Sequence, residues 1–153
     1  MSRILYIEES VMTHQEKRAW IMLVVSAIGY AVYVTVVLSR VGDGRLDSTP
    51  YAGTLFWTIG GAIAATMVLE IGMGIVNPRA SRVSDVRDRE IGRLGDHVGQ
   101  AFVVIGAVSA MLMAMAQWHW FWIANVIYLC FVLSAVIGSL AKVIVYRRGV
   151  PQW

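Results

Sequence analysis

The stretch "AWIMLVVSAIGYAVYVTVVL", residues 19–38, is a run of 20 residues with no formal charge. A helix needs about 20 predominantly apolar residues to cross roughly 30 Å of hydrocarbon. This one run therefore directs the reading to a membrane protein. The composition agrees: 58% of the 153 residues are hydrophobic, only 15% are charged, and the mean hydropathy is +0.63, outside the balance of a soluble domain.

Moving outward, Tyr51 to Val76 forms a second apolar run that contains a single residue charged at neutral pH, Glu70. From Val98 to Ala141 the only ionisable side chains are His119 and those of tyrosine and cysteine. As one straight helix this third run would extend about 66 Å at 1.5 Å per residue, so it must cross twice. The turn is expected at "QWHW", Gln117 to Trp120, where polar and indole groups suit the headgroup level. The predicted fold is all-α: a four-transmembrane-helix bundle in one integral membrane domain, 1–153, with spans at about 18–39, 51–76, 97–117 and 119–146.

Orientation follows from lysine and arginine in the short connections. Eleven of the 13 basic residues fall in the N-terminal segment, the middle connection and the C-terminal end; only Arg40 and Arg45 lie on the other side. Both termini are therefore expected in the cytoplasm, in a cell (inner) membrane. The sequence pI near 9.3 then calls for no nucleic acid. The first apolar run begins late and follows Glu8, Glu9 and Glu16, so it reads as a retained anchor and not a cleaved signal.

The connections carry their own signals. Thr13 and Glu16 fit a capping box ahead of the first span. Gly-Asp-Gly and Pro50 fit a turn into the second, and Asn77 with Pro78 fit the start of a new helix. Beyond them lies "VSDVRDREIGRLGDHVG", residues 83–99, a concentration of charge in an oily chain. Asp85 with Arg89, Arg87 with Glu90, and Glu90 with Arg93 stand at helical spacings that favour ion pairs. Val83, Val86, Ile91, Leu94 and Val98 make an imperfect apolar stripe. The simplest reading is an amphipathic cytoplasmic arm, 79–97, leading into the third span and loosened near its glycines. The stripe must be covered by the membrane surface, by the N-terminal segment or by a partner. Val83, Val86, Arg87, Arg89, Ile91 and Leu94 are its candidate partner-binding residues.

The residues "DVRDREI", Asp85 to Ile91, followed directly by a membrane helix, resemble the Asp-x-Arg-Asp-x-x-Ile element of small four-helix integral membrane proteins of bacteria and archaea whose function is uncharacterised. The resemblance covers the arm and the four-span layout and implies that fold alone. Small multidrug transporters share four spans but rely on a glutamate in the first helix, which this chain lacks.

Small residues recur in the second, third and fourth spans, where they let helix backbones approach closely in lipid. Gly95 and Gly99 form a GxxxG that suits packing inside the monomer or against a second copy, leaving homo-oligomerisation open. Cys130 stands alone, which excludes an intramolecular disulfide and leaves a small apolar packing residue.

Glu70 is the sharpest single feature, because a carboxylate within a span must face a partner, water or the bundle. Lys142 lies at a comparable depth, and Arg93 and His97 open the third span, so an intramembrane polar cluster of Glu70, Lys142, Arg93 and His97 is expected. That cluster fits a proton or ligand site, or an ion pair that fixes helix register. Lys142 also suits a snorkelling anchor, and His97 beside Asp96 a cap for the third span. His14, His97 and His119 lie on separate segments without metal-ligand spacing, so neither metal nor other cofactor is expected. Trp118, Trp120, Phe121 and Trp122 read as an aromatic belt. No catalytic triad, phosphate loop or nucleotide fingerprint is present, and a non-enzymatic role follows.

Two functions remain in view. The first is contact with a cytoplasmic or membrane protein through the charged arm, as a regulatory, sensory or accessory subunit. The second is movement of a proton, ion or small solute past Glu70 in an oligomer.

Overall fold

The structure, a computed structural model, describes residues 14–76, Pro78 and residues 86–148. Among these, four helices are long and apolar enough to cross a membrane. They are α1 (His14–Val41), α2 (Ala52–Val76), α3 (Val86–Met115) and α4 (Trp120–Arg148), with a short 3-10 turn at Leu46–Ser48 between α1 and α2. The first expected span, 18–39, falls inside α1; the other three match α2, α3 and α4 except that Tyr51 and His119 precede their helices by one residue and α3 ends at Met115, two residues short of 117. The expected Thr13 cap, Asn77, Val83 and Asp85 lie outside the described residues, as does the 79–85 part of the arm.

α1 and α3 have 28 and 30 residues, about 42 and 45 Å at 1.5 Å per residue, so both overrun a hydrocarbon layer of roughly 30 Å. For α3 the overrun is at its start: the helix begins at Val86 and runs without a break into the apolar segment.

The turns follow from local chemistry. At the end of α3 the amide of Trp118 reaches the carbonyl of Met113 (3.0 Å) and that of Gln117 reaches Ala114 (3.0 Å). This is a Schellman closure, and Gln117 takes the left-handed position with φ 56°. His119 then starts α4 by accepting the Phe121 amide on Nδ1 at 3.3 Å.

Packing orders the helices α2, α1, α4, α3. The α3–α4 seam is the tightest and is made by glycine. A Cβ at Gly138 would sit 2.9 Å from the Gly95 carbonyl oxygen, and one at Gly99 would sit 3.0 Å from that of Ser134. Gly106 accommodates Cys130 across the same seam. The GxxxG therefore packs within the chain.

The α1–α4 seam is aromatic. Tyr33, 1% exposed, meets Tyr128 edge-on with ring centroids 5.0 Å apart, and beside them Phe121 of α4 meets Tyr51, the residue ahead of α2, in the same way at 5.0 Å. α2, by contrast, contains no buried residue. Phe56, Trp57, Val68, Ile75 and Val76 are all exposed, an arrangement suited to lipid and not to water.

Candidate functional site

Each helix has a charged or polar end near His14 and Arg148, here termed the terminal end, where α1 and α3 begin and α2 and α4 finish. Four contacts cross between helices there. Arg18 Nε on α1 donates to Glu70 Oε1 on α2 at 2.7 Å. Arg147 Nε on α4 donates to Glu16 Oε1 on α1 at 3.4 Å. Lys142 Nζ on α4 donates to Asp96 Oδ1 on α3 at 2.7 Å, and the Tyr146 hydroxyl of α4 donates to Asp88 Oδ1 on α3 at 2.9 Å.

These links join α2 to α1, α1 to α4 and α4 to α3, the same order as the packing. Each ties two neighbours in one register. Their direct energies are modest, because most of these side chains are partly exposed, and such pairs contribute about 0–1 kcal/mol in water. Glu16 is the exception in burial, at 8% exposed, and Arg147 also lies over the Trp20 ring, 5.8 Å from its centroid. That contact adds a cation–π attraction to the ion pair.

The polar cluster expected from the sequence is thus divided. Glu70 pairs with Arg18 and Lys142 pairs with Asp96, instead of Glu70 and Lys142 pairing with each other. The reason is the helix order: α2 packs on α1, so its carboxylate meets the base of α1. Arg93 and His97 are exposed and form no ion pair among the described residues. Glu70 lies six residues before Val76, about 9 Å along the helix.

The arm also differs from its expected pairing. Arg87–Glu90 and Glu90–Arg93 do not pair within 4 Å; the acids that find partners, Asp88 and Asp96, turn to α4. Ile91 is the stripe's buried residue, at 1% exposed, whereas Val86 and Leu94 are 68% and 42% exposed. Arg87, Arg89, Glu90 and Arg93 are all exposed. With Asp88 and Asp96 paired to α4, the exposed face of this segment carries Arg87, Arg89 and Arg93 beside Glu90.

A second polar group lies toward the opposite end, in the α1–α4 seam. The Tyr33 hydroxyl donates to Asn125 Oδ1 at 2.7 Å, Asn125 Nδ2 donates to the Phe121 carbonyl at 2.8 Å, and the Tyr128 hydroxyl reaches Thr58 Oγ1 at 3.4 Å. Sequence reading missed Asn125. The available signal was an amide inside the apolar "WIANVIYL", which must find a partner away from water.

Beyond it, in the turn, Arg45 donates twice to Asp47, at 2.8 and 3.2 Å. These hydrogen bonds hold the Asp47 carboxyl below the ordinary carboxylate range. Among the described residues no three of histidine, cysteine, aspartate and glutamate gather as metal ligands could. The chain matches no family model, no curated protein and no solved structure.

Proposed function

We propose that the chain is a multi-pass protein of the cell inner membrane, both termini cytoplasmic, that acts by binding another protein through the segment opening α3. It would serve as a regulatory, sensory or accessory subunit and not as an enzyme. The observation that carries this reading is the division of charge on that segment. Asp88 and Asp96 are held by Tyr146 and Lys142, Ile91 is buried, and Arg87, Arg89 and Arg93 stand exposed.

A segment mounted on α4 by its acids keeps its arginines in fixed positions. Arginine is well suited to such a surface because its planar fork binds carboxylates bidentately. The expected partner therefore presents an acidic face. Complementary charge of this kind governs specificity and association rate more than affinity.

The test is affinity purification in mild detergent, comparing the parent chain with Arg87→Glu/Arg89→Glu/Arg93→Glu. A protein that accompanies the parent should be lost from the variant while its helical circular dichroism persists. A parent that purifies alone from native membranes overturns the proposal.

Transport past Glu70 is the second reading, favoured by one observation: its side chain is 32% exposed despite the Arg18 pair. A proton or ion flux in proteoliposomes that Glu70→Gln abolishes would put transport first.

A further inference from the structure

Between α1, α2 and α4 lies a groove of about 560 Å³, open at its side. Small residues hollow it out: Gly29 from α1, Ala62 from α2, and Ala124 and Ala135 from α4. Its volume is within the range of about 300–1,000 Å³ usual for small-molecule sites. The 11 residue steps from Ala124 to Ala135 give it a length of about 16 Å along α4 at 1.5 Å per residue. One leaflet of hydrocarbon is half of roughly 30 Å, so the groove matches a single leaflet.

The charge at its mouth is unbalanced. Leu55 lines the end of the groove nearest the α1–α2 turn, and the adjacent Thr54 accepts Arg40 Nη1 at 3.0 Å. The same Arg40 atom lies 3.4 Å from the Pro50 carbonyl oxygen, and no carboxylate pairs with this guanidinium among the described residues. Arg40 stands 11 positions beyond Gly29 and 14 beyond Ser26, on the same side of α1; the buried Tyr33 and Val37 fill that side between them, so Arg40 meets the groove's mouth through Thr54 on α2. A cation therefore sits at headgroup level above a slot one leaflet deep.

We propose that this groove binds an anionic glycerophospholipid, with one acyl chain lying between α1, α2 and α4 and the phosphate on Arg40. The chain covers apolar side chains that would otherwise lack close neighbours, and dispersion contacts with a filled slot exceed those with an empty one. Guanidinium and phosphate supply the selectivity for headgroup charge.

The test measures thermal unfolding and native mass spectrometry of the full chain in detergent, titrated separately with phosphatidylglycerol, phosphatidylcholine and inorganic phosphate. Phosphatidylglycerol should be retained and should raise the midpoint above phosphatidylcholine at equal molar ratio, while inorganic phosphate does neither. Arg40→Gln should remove that excess and leave the effect common to both lipids. Ala62→Leu/Ala135→Leu, which fills the groove, should remove retention of both. If the double variant loses helix signal, Ala124→Leu alone is expected to give the same loss. Equal effects of the two lipids on the parent, an excess that survives Arg40→Gln, retention that survives groove filling, or stabilisation by inorganic phosphate alone would each overturn the proposal.

Discussion

The two flanks of the molecule are held in different ways. On one, α3 lies against α4 through Gly95, Gly99, Gly106 and Gly138, with backbone so close that a Cβ at Gly95 would stand 2.7 Å from the Gly138 carbonyl oxygen. On the other, α2 has five glycines, Gly53, Gly60, Gly61, Gly72 and Gly74, and none has an atom within 4 Å of where its Cβ would be. Glycine has the same composition signal in both places. Only in the first does the absence of a side chain create a contact. What fixes α2 instead is its packing on α1, finished at one end by the Arg18–Glu70 pair and at the other by Arg40 on Thr54.

The largest expected effect comes from breaking the tight flank. Gly138→Leu forces a side chain into the Gly95 backbone, where no flexible neighbour can yield, and overpacking of this kind costs about 1–3 kcal/mol or more. Unfolding in detergent followed by circular dichroism should show a clear fall in midpoint. The same assay sharpens the comparison on the loose flank: Gly61→Ala should be neutral or stabilising by up to about 1 kcal/mol, since it adds no clash and removes the backbone freedom of a helical glycine.

The middle seam gives a smaller value. A double-mutant cycle of Tyr33→Phe and Asn125→Ala should return a coupling of about 0.6 kcal/mol, the usual strength of an interhelical hydrogen bond in a membrane protein. The smallest effect is that of pH on the turn. Asp47 has a lowered pKa in the folded chain, so its contribution is present above the unfolded carboxylate range and is lost as pH falls through the folded value. Asp47→Asn should remove that part of the acid dependence, seen as a flatter unfolding midpoint against pH at the acid end.

The spans were legible because length and near absence of charge are local properties: residues 19–38 and 98–141 carry no formal charge at neutral pH with histidine neutral, and 51–76 carries only Glu70. The Gln117 turn was legible for the same reason, since a single helix of 44 residues without a formal charge would be about twice as long as the hydrocarbon layer is thick. Helix order was not. Glu70 and Lys142 share a depth, and depth can be read from the sequence, but which helix lies beside which depends on packing that glycine patterns do not specify. Hence Glu70 was matched with Lys142 when its partner is Arg18. The pairing of the charges opening α3 was not legible for a related reason. Spacings of three and four residues offered Arg87 and Glu90 to each other, but tertiary contacts with Tyr146 and Lys142 took up Asp88 and Asp96, leaving the arginines outward.

The most direct test of this arrangement is cysteine cross-linking in native membranes, in a Cys130→Ser background. Arg18→Cys/Glu70→Cys and Asp96→Cys/Lys142→Cys should each be joined within one chain by a short bis-methanethiosulfonate reagent, whose spacer stands in for the two long side chains, while Glu70→Cys/Lys142→Cys should not. Efficient bridging between positions 70 and 142, with none between 18 and 70, would contradict it and return Glu70 to a polar site shared with α4.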